Sequence, residues 1–326
     1  MPKLLRSCAA ALLGCPPAFA VVAADAPTSS SNLPRYDHIV IVVEENKDYD
    51  EIIGNLAAPY LNKLAMEGAT FTHMFAEEHN SQGNYFWLFS GSNQSVGFHN
   101  QIPRGKFNTS NLGEQLIIKG LSFKGYSQSL PAIGSAVEGA PPGCRYPCLY
   151  ARKHVPWISF DNVPNGTTVA TSSNLLFEDF PVDFDDLPRV AFVIPDMDHD
   201  MHNGAVKDSV PAGDLWLQQN LDGYYQWAKT HNSLLIVTFD ETDDKGGSAG
   251  LTDPASSSDQ NRIATIFAGS HVKPGHTVTD GMTHINILRT IEAIYGLPKS
   301  GAQQPSALRA GIGDDAIAGG AFEGVR

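Results

Sequence analysis

Hydrophobic and polar positions follow each other along the chain in a pattern that is typical of an α/β protein. Residues 39–43 are five consecutive β-branched side chains, which indicates a strand that is buried on both faces of a parallel sheet. A second strand of this kind is predicted at residues 234–239. Segments with apolar residues at helical spacing lie between the predicted strands, as expected around a mostly parallel sheet.

The remaining predicted elements end at glycine, proline or polar residues. Further strands are predicted at 70–76, 121–126, 189–194 and 263–268, and helices at 58–67, 112–119, 214–230 and 284–295, with another helix starting near Tyr85. Residues 245–260 are rich in glycine, serine and aspartate, which predicts a loop. The glycine- and alanine-rich tail, residues 301–326, is predicted to be disordered in part.

Acidic residues follow two of the predicted strands. Glu44, Glu45 and Asn46 come after the first, and Asp240 and Glu241 come after the second. Ligands of open α/β sheets bind at the carboxyl ends of the strands, so these residues would share one rim if the two strands are parallel neighbours. Such a concentration of negative charge requires a cation. Taken singly, each cluster is equally consistent with an ordinary acidic loop.

The chemistry of these side chains indicates which cation is expected. Carboxylate and amide oxygens favour calcium, magnesium or manganese, and zinc or iron becomes an option if histidines join the ligand set. The sequence therefore predicts a divalent metal cofactor at this rim.

Ser81 lies where a predicted strand gives way to a predicted helix. A serine at such a turn presents its hydroxyl beside the free N–H groups of the first helical turn, which suits a nucleophile that attacks phosphorus. A helix N-cap is the competing interpretation, because serine often fills that position. Ser90 and Ser92 are rival serines, located deeper in the helix or at its end.

Three other polar groups could contribute to a phosphate site. Asp200 and His202 follow a predicted strand, and His284 begins the last long helix. Lys153 and His154 put a cation beside an imidazole, which suits phosphate recognition. Each group also has an ordinary interpretation: a polar loop, a solvated charge pair, or a histidine in a first helical turn.

Length and charge exclude several classes of partner. With 326 residues and 42% hydrophobic content, the chain can form one large α/β domain or two smaller ones. Its formal charge of −13 excludes nucleic acid and anionic membranes as partners held by bulk attraction. Beyond the N-terminal region no stretch is long and apolar enough to cross a bilayer, so no stable membrane insertion is expected.

Residues 1–24 are typical of an export signal. Lys3 and Arg6 precede a short apolar run, and residues 18–20 offer an Ala-Phe-Ala cleavage site. A lipoprotein box ending at Cys15 is the competing interpretation, which the prolines after Cys15 disfavour. Both routes take the protein out of the cytoplasm, so we expect a secreted or periplasmic protein.

Cys144 and Cys148 are the two cysteines beyond this signal. In an oxidising compartment such a pair is expected to form a small-loop disulfide. A zinc site is the alternative, but two thiols without nearby histidines supply only half of a ligand set.

Four motifs follow one another along the chain: Val-Val-Glu-Glu-Asn at 42–46, Tyr-Ala-Arg-Lys-His-Val-Pro-Trp at 150–157, Asp-Met-His at 200–202 and Ser-Leu-Leu-Ile-Val-Thr-Phe-Asp-Glu at 233–241. In this order the chain resembles the phosphoesterase family, bacterial acid phosphatases and phospholipases C of the alkaline-phosphatase-like superfamily. The likeness extends from about residue 38 to 298 and is greatest to small secreted acid phosphatases, a group that includes phosphoinositide phosphatases. It implies a three-layer α/β sandwich with a mostly parallel central sheet.

The resemblance also implies a role for each residue that matches a family motif. The implied metal ligands are Glu45, Asn46, Ser81, Asp240 and Glu241. The implied catalytic residues are Ser81 as the nucleophile, with His202 and His284 assisting the leaving group. The implied substrate-binding residues are Asn84, Lys153, His154 and Asp200.

One departure from the family pattern concerns the nucleophile turn. The family usually has His-Pro-Ser-x-Pro-Asn-Tyr, whereas residues 79–85 have Asn80 and Gly83 in place of the two prolines. Proline presets φ and glycine does not, so we expect a looser turn and reduced or altered activity.

Together these features predict a secreted, metal-dependent acid phosphatase that cleaves phosphate monoesters of small molecules or lipids through a phosphoserine. The catalytic domain would be residues 25–300. A phosphodiesterase of the phospholipase C type, on the same scaffold, remains open. So does a non-enzymatic exported protein, in which the acidic clusters hold structural calcium and Ser81 caps a helix.

Overall fold

The computed structural model describes residue 1 and residues 32–96, 104–144, 148–243 and 261–325. The predicted export signal, the alternative lipidation site at Cys15 and the predicted loop 245–260 lie outside these ranges. Residues 32–325, as far as they are described, belong to one folded unit around a shared hydrophobic core.

The strands are short, and most of their side chains are buried because the sheet is covered on both faces. In chain order they are β1 His38–Glu44, β2 Ala69–Phe71, β3 Met74–Phe75, β4 Phe123–Ser127, β5 Gly139–Ala140, β6 Tyr150–Ala151, β7 Asn174–Leu176, β8 Val190–Ile194, β9 Ser233–Phe239, β10 Thr265–Gly269, β11 His276–Val278 and β12 Met282–Thr283.

Within the described residues, eight strands form one sheet in the order β11-β2-β10-β9-β1-β8-β4-β7. The five strands from β9 to β7 are mutually parallel, and β10 is antiparallel to both of its neighbours. The predicted mostly parallel sheet is therefore confirmed. Two small pairs, β3 with β12 and β5 with β6, lie outside it.

The helices form two layers. They are α1 Tyr49–Ile52, α2 Pro59–Glu67, α3 Ser81–Ser90, α4 Leu112–Ile118, α5 Val206–Ala228, α6 His284–Tyr295 and α7 Pro305–Arg309. Helices α1, α2 and α5 pack together, and α3 packs with α4 and α6. No helix among the described residues combines the length and apolar character that a membrane span requires.

Most predicted boundaries hold to within a few residues, and two do not. Helix α5 begins eight residues before the predicted start and contains Pro211, with Ser209 and Val210 buried in its first turns. The predicted strand 70–76 is broken into β2 and β3 by a turn at Thr72 and His73.

The segment after Ser300, expected to be disordered in part, packs on the core. Phe322 is fully buried, and the Asn286 side chain donates to the carbonyls of Gly313 and Ala316. Arg289 adds an ion pair with Asp314. Buried polar partners on α6 thus order a glycine-rich stretch that has little hydrophobic pattern of its own.

The predicted disulfide joins Cys144 and Cys148, so the zinc alternative for this pair is wrong. The bridge closes the hairpin of β5 and β6. Strand β6 leads directly into a 3₁₀ turn at Arg152–His154, which carries Lys153 and His154 towards the rim of the sheet.

Candidate active site

The two acidic clusters lie side by side at the carboxyl end of the sheet. Strands β1 and β9 are parallel neighbours, with Glu44 opposite Phe239. Asp240 Oδ1 accepts from the backbone N–H groups of Asn46 (2.9 Å) and Glu241 (2.7 Å). The predicted proximity of the two strands is confirmed, and it brings the acidic residues to one rim.

Three buried side chains from three separate segments form a ligand-like group. His154 Nε2 is 3.1 Å from Glu45 Oε1, and His154 Nδ1 is 3.9 Å from Asp200 Oδ2. One donor atom from each residue lies within 4.8 Å of the others. Tyr85 orders the group, because its hydroxyl donates to Glu45 Oε1 at 2.7 Å and its ring stacks on His154.

Several oxygen atoms at this rim that could bind a metal are buried and have no hydrogen-bond partner. They are Glu45 Oε2, Asn46 Oδ1, Asp200 Oδ2 and Asp240 Oδ2. A buried unpaired acceptor is costly, and a cation satisfies several acceptors at once. This combination of carboxylate and amide oxygens with one imidazole nitrogen fits a divalent metal ion.

Burial and mutual repulsion shift the pKa values of the rim residues in the direction expected for such a site. Burial, reinforced by Glu45, raises the pKa of Asp200 and Asp240 well above the usual range. The pKa of Glu241 rises to about 10, mainly through burial and then through Asp240 and Glu45. Burial lowers the pKa of His154 well below its usual value, which keeps the imidazole neutral and able to bind metal.

Ser81 is the first residue of helix α3 and faces the second acidic cluster. Its hydroxyl donates to Glu241 Oε1 at 3.0 Å, and the Asn84 side chain donates to Glu241 Oε2 at 3.4 Å. Asn80, rather than Ser81, occupies the N-cap position and uses no side-chain hydrogen bond there. The hydroxyl of Ser81 is therefore directed at the rim and not at the helix backbone.

The turn that carries Ser81 is held by Glu78 instead of by prolines. Asn84 accepts from the Glu78 backbone N–H and donates to its carbonyl. The Glu78 carboxylate accepts from Trp87 and from Asn93, both at 2.8 Å. Its Oε1 lies 2.3 Å from where a Cβ on Gly83 would stand. The contacts of Glu78 therefore restrain the turn where Gly83 was expected to loosen it, and the sequence did not reveal these contacts.

His284 is buried and contacts two protein acceptors instead of facing open space. Its Nδ1 is 2.5 Å from Glu77 Oε2, and its Nε2 is 2.8 Å from the carbonyl of Phe239. Both ring nitrogens are therefore engaged by protein acceptors.

His202 and Lys153 lie beside the same group. The His202 backbone N–H donates to Asp200 Oδ1 at 2.9 Å. The pKa of His202 is lowered by burial and then by the charge of Lys153. Lys153 also lowers the pKa of Glu45, although burial outweighs that effect. A cation and a second imidazole thus lie next to the buried carboxylates.

Lys47 belongs to the site, and the sequence interpretation missed it. The residue is 3% exposed, and its ammonium donates to the carbonyls of Asn46 (2.8 Å) and Met201 (2.7 Å). Both residues adopt left-handed backbone conformations, with φ of 49° and 72°. From the sequence, a lysine directly after an acidic strand end is expected to be a solvated charge. Its burial is visible only in the folded structure.

Comparison with protein families gives a match over most of the chain. The model of the Phosphoesterase family matches residues 55–298. A phosphatidylinositol-3-phosphatase of Mycobacterium tuberculosis is 43% identical over 273 residues, which cover 84% of this chain and 81% of the relative. A probable acid phosphatase of Kluyveromyces lactis is 29% identical, over 82% of this chain and 60% of the yeast protein.

Solved structures share the fold at low sequence identity. A protein of the alkaline phosphatase superfamily from Vibrio parahaemolyticus superposes with a TM-score of 0.58 at 14% identity, covering 89% of this chain and 74% of the other. The lipoteichoic acid synthase LtaP of Listeria monocytogenes gives 0.55 at 12% identity, with coverages of 85% and 76%. These likenesses agree with the predicted alkaline-phosphatase-like sandwich.

Proposed function

Because this chain belongs to the Phosphoesterase family and is a phosphoric monoester hydrolase, we propose that it is a metal-dependent acid phosphatase acting through a phosphoserine. The observation that carries the proposal is the position of Ser81. Its hydroxyl, at the start of a helix, lies 3.0 Å from the carboxylate of Glu241. Beside it are buried oxygen atoms that have no hydrogen-bond partner and could bind a metal. An anion cradle and a cation site at one hydroxyl suit attack on a phosphate ester.

Ser81 would act as the nucleophile. Its oxygen forms a bond to phosphorus as the ester oxygen departs, and its proton passes towards Glu241, which already accepts the hydroxyl hydrogen bond. Water then attacks the phosphoserine, which releases inorganic phosphate and restores the hydroxyl. The N–H groups in the first turn of α3 are placed to bind phosphoryl oxygens.

The metal would be held at the rim by Glu45, Asn46, Asp240 and Glu241, with His154 and Asp200 as further candidate ligands. Support comes from the unpaired oxygen atoms and from the close approach of Glu45, His154 and Asp200. A divalent cation bound there would lower the pKa of the serine and screen the charge of the phosphate. The family resemblance alone assigned His154 and Asp200 to phosphate, so this is a change of role.

Lys153 and Asn84 would orient the substrate phosphate, and His202 would protonate the departing alkoxide. Only the protonated imidazolium can give up this proton, and because burial and then the charge of Lys153 lower the pKa of His202, the step is favoured at acidic pH. A proton donor next to the leaving oxygen is worth most for poor leaving groups.

The substrate would be a phosphate monoester, and a phosphoinositide is the first lipid to test. This follows the 43% identical relative, whose printed name is phosphatidylinositol-3-phosphatase. The disulfide at Cys144 and Cys148 supports the predicted export, because disulfides persist in oxidising compartments.

Hydrolysis of p-nitrophenyl phosphate and its bis-ester between pH 4 and 9 tests the proposal, with wild type and Ser81→Ala, with and without chelator. We expect monoester turnover that is lost in Ser81→Ala and on chelation. Ser90→Ala is the matched control, because Ser90 lies at the far end of the same helix and bonds backbone carbonyls.

Other outcomes would change the assignment. Preference for the bis-ester would favour a phospholipase C-type phosphodiesterase. If turnover survives in Ser81→Ala, Ser81 is not the nucleophile. Absence of turnover with every divalent metal would favour the non-enzymatic cation-binding alternative.

A further inference from the structure

Two loops must meet for Ser81 to face the acidic rim, and His284 lies between them. Ser81 comes four residues after Glu77, and Asp240 directly follows Phe239. His284 contacts the side chain of Glu77 through one ring nitrogen and the carbonyl of Phe239 through the other.

Both partners of His284 are hydrogen-bond acceptors, so both ring nitrogens are arranged to donate. A backbone carbonyl cannot donate, and the carboxylate of Glu77 also accepts from the backbone N–H of Ile285 at 3.0 Å. The pair is fully buried, with side chains 1% and 0% exposed. An imidazolium paired with a carboxylate satisfies every one of these contacts.

The contacts of Glu77 extend the link to the segment that follows α6. The carbonyl of Glu77 accepts from the Gln304 side chain at 3.0 Å, and its carboxylate caps the first turn of α6. Strands β3 and β12 pair directly before these two segments. The loop that carries Ser81 is thus fixed to α6. His284 connects this loop to the end of β9 through its contact with the carbonyl of Phe239.

We propose that His284 is a positioning residue that fixes the Ser81 loop to the strand end preceding Asp240, and that it does not protonate the leaving group. This inference rests on the proposed function, in which Ser81 and Asp240 act together. A general acid needs a nitrogen that faces the substrate, whereas both nitrogens of His284 face protein acceptors.

The test compares kcat/KM for p-nitrophenyl phosphate and phenyl phosphate in wild type and in His284→Asn. We expect His284→Asn to lower both values by a similar factor, on the order of 100-fold, as for a small misplacement of reacting groups. A larger loss for phenyl phosphate, the poorer leaving group, would overturn the proposal and identify His284 as the general acid. If His284→Asn were destabilised but kept an unchanged kcat/KM, His284 would only stabilise the fold, and the proposal would also be overturned.

A second variant guards against misfolding of the first. Glu77→Gln keeps the shape of the side chain and removes the charge, so we expect a smaller loss in the same direction. The double variant should cost little more than His284→Asn alone, because the two residues act as one unit. Additive losses would contradict the link. His271→Asn changes an exposed histidine and should leave kcat/KM unaltered.

Hydrogen exchange provides a measurement that does not depend on turnover. In His284→Asn, amides of residues 77–84 and of residues 239–243 should exchange faster together, since both segments lose the same anchor. Unchanged exchange in either segment would overturn the proposal. Ser81→Ala tests the nucleophile separately, so failure of the proposed function and failure of this inference are distinguishable.

Discussion

At the scale of single residues, Gly83 shows how a departure from a family motif can be built into the packing. A Cβ at this position would stand 2.3 Å from Glu78 Oε1, and that oxygen is held by Trp87 and Asn93. We expect Gly83→Ala to lower the free energy of unfolding by about 1–3 kcal/mol, through overpacking or through loss of these bonds.

The matched control for Gly83→Ala is Gly223→Ala in helix α5. A Cβ there would meet nothing closer than 3.8 Å, on the ring of Phe184. This substitution should stabilise the protein by up to about 1 kcal/mol, because alanine is the better helix former. Urea unfolding of both variants measures the contrast, and a stabilising Gly83→Ala would contradict the packing role of Glu78.

Lys47 joins two left-handed residues through one ammonium group. Lys47→Met would leave the carbonyls of Asn46 and Met201 without that donor, and hydrogen bonds to charged groups contribute about 1.5–3 kcal/mol each. We expect a loss of stability of that order and weaker metal binding, since the loops carrying Asn46 and Asp200 separate. Lys207→Met, at a side chain that is 81% exposed, should change neither quantity.

At the scale of elements, the pair of His284 and Glu77 makes stability depend on pH. Burial lowers the pKa of His284, but Glu77 and the Phe239 carbonyl raise it more, so the net pKa lies above the usual value near 6.5. The folded state therefore binds this proton more tightly than the unfolded state does. The resulting stabilisation is complete below about pH 6.5 and is lost as the pH rises through the folded-state pKa.

Unfolding free energies of wild type and His284→Asn, measured from pH 5 to 9, test this sign. The difference between the two proteins should be largest at the acidic end and shrink towards pH 9. A difference that grows with pH would mean that His284 is neutral in the folded state.

Elements with a strong local signal were predictable from the sequence. The apolar runs in β1 and β9 identify buried strands. Helix α6 has its predicted bounds because Thr283 and Gly296 mark its ends. Strands β7 and β11 are three residues long and were missed. Their pairing with neighbours, not their own composition, makes them strands.

The acidic rim was predictable for the same reason, since parallel strand ends meet at one edge. The grouping of Glu45 with His154 and Asp200 was not, because three distant segments supply it and no spacing encodes it. The sequence also cannot say which way a histidine ring faces, so the contacts of His284 with Glu77 and with the carbonyl of Phe239 could not be predicted.

At the scale of the whole molecule, metal binding should contribute to folding. A cation that binds only the folded state adds about 2.7 kcal/mol at 100 times its Kd. We therefore expect manganese to raise the melting temperature of chelator-treated wild type, by differential scanning calorimetry. Asp200→Asn should reduce this rise, because it removes one charged donor from the buried group.

Asp185→Asn is the control for that measurement, since Asp185 is exposed and lies in a 3₁₀ turn at residues 184–186. Its response to manganese should equal that of wild type. An equal response in Asp200→Asn would place the cation away from Glu45 and His154.

The ordered C-terminal segment has a consequence for anyone who shortens the gene. The family match ends at residue 298, yet the folded unit continues beyond it. A recombinant protein trimmed to the match would lose Phe322 from the core and the Gln304 contact with Glu77. Such trimming would loosen the anchor of Ser81 from outside the matched region. An inactive product would then reflect the cut and not the chemistry.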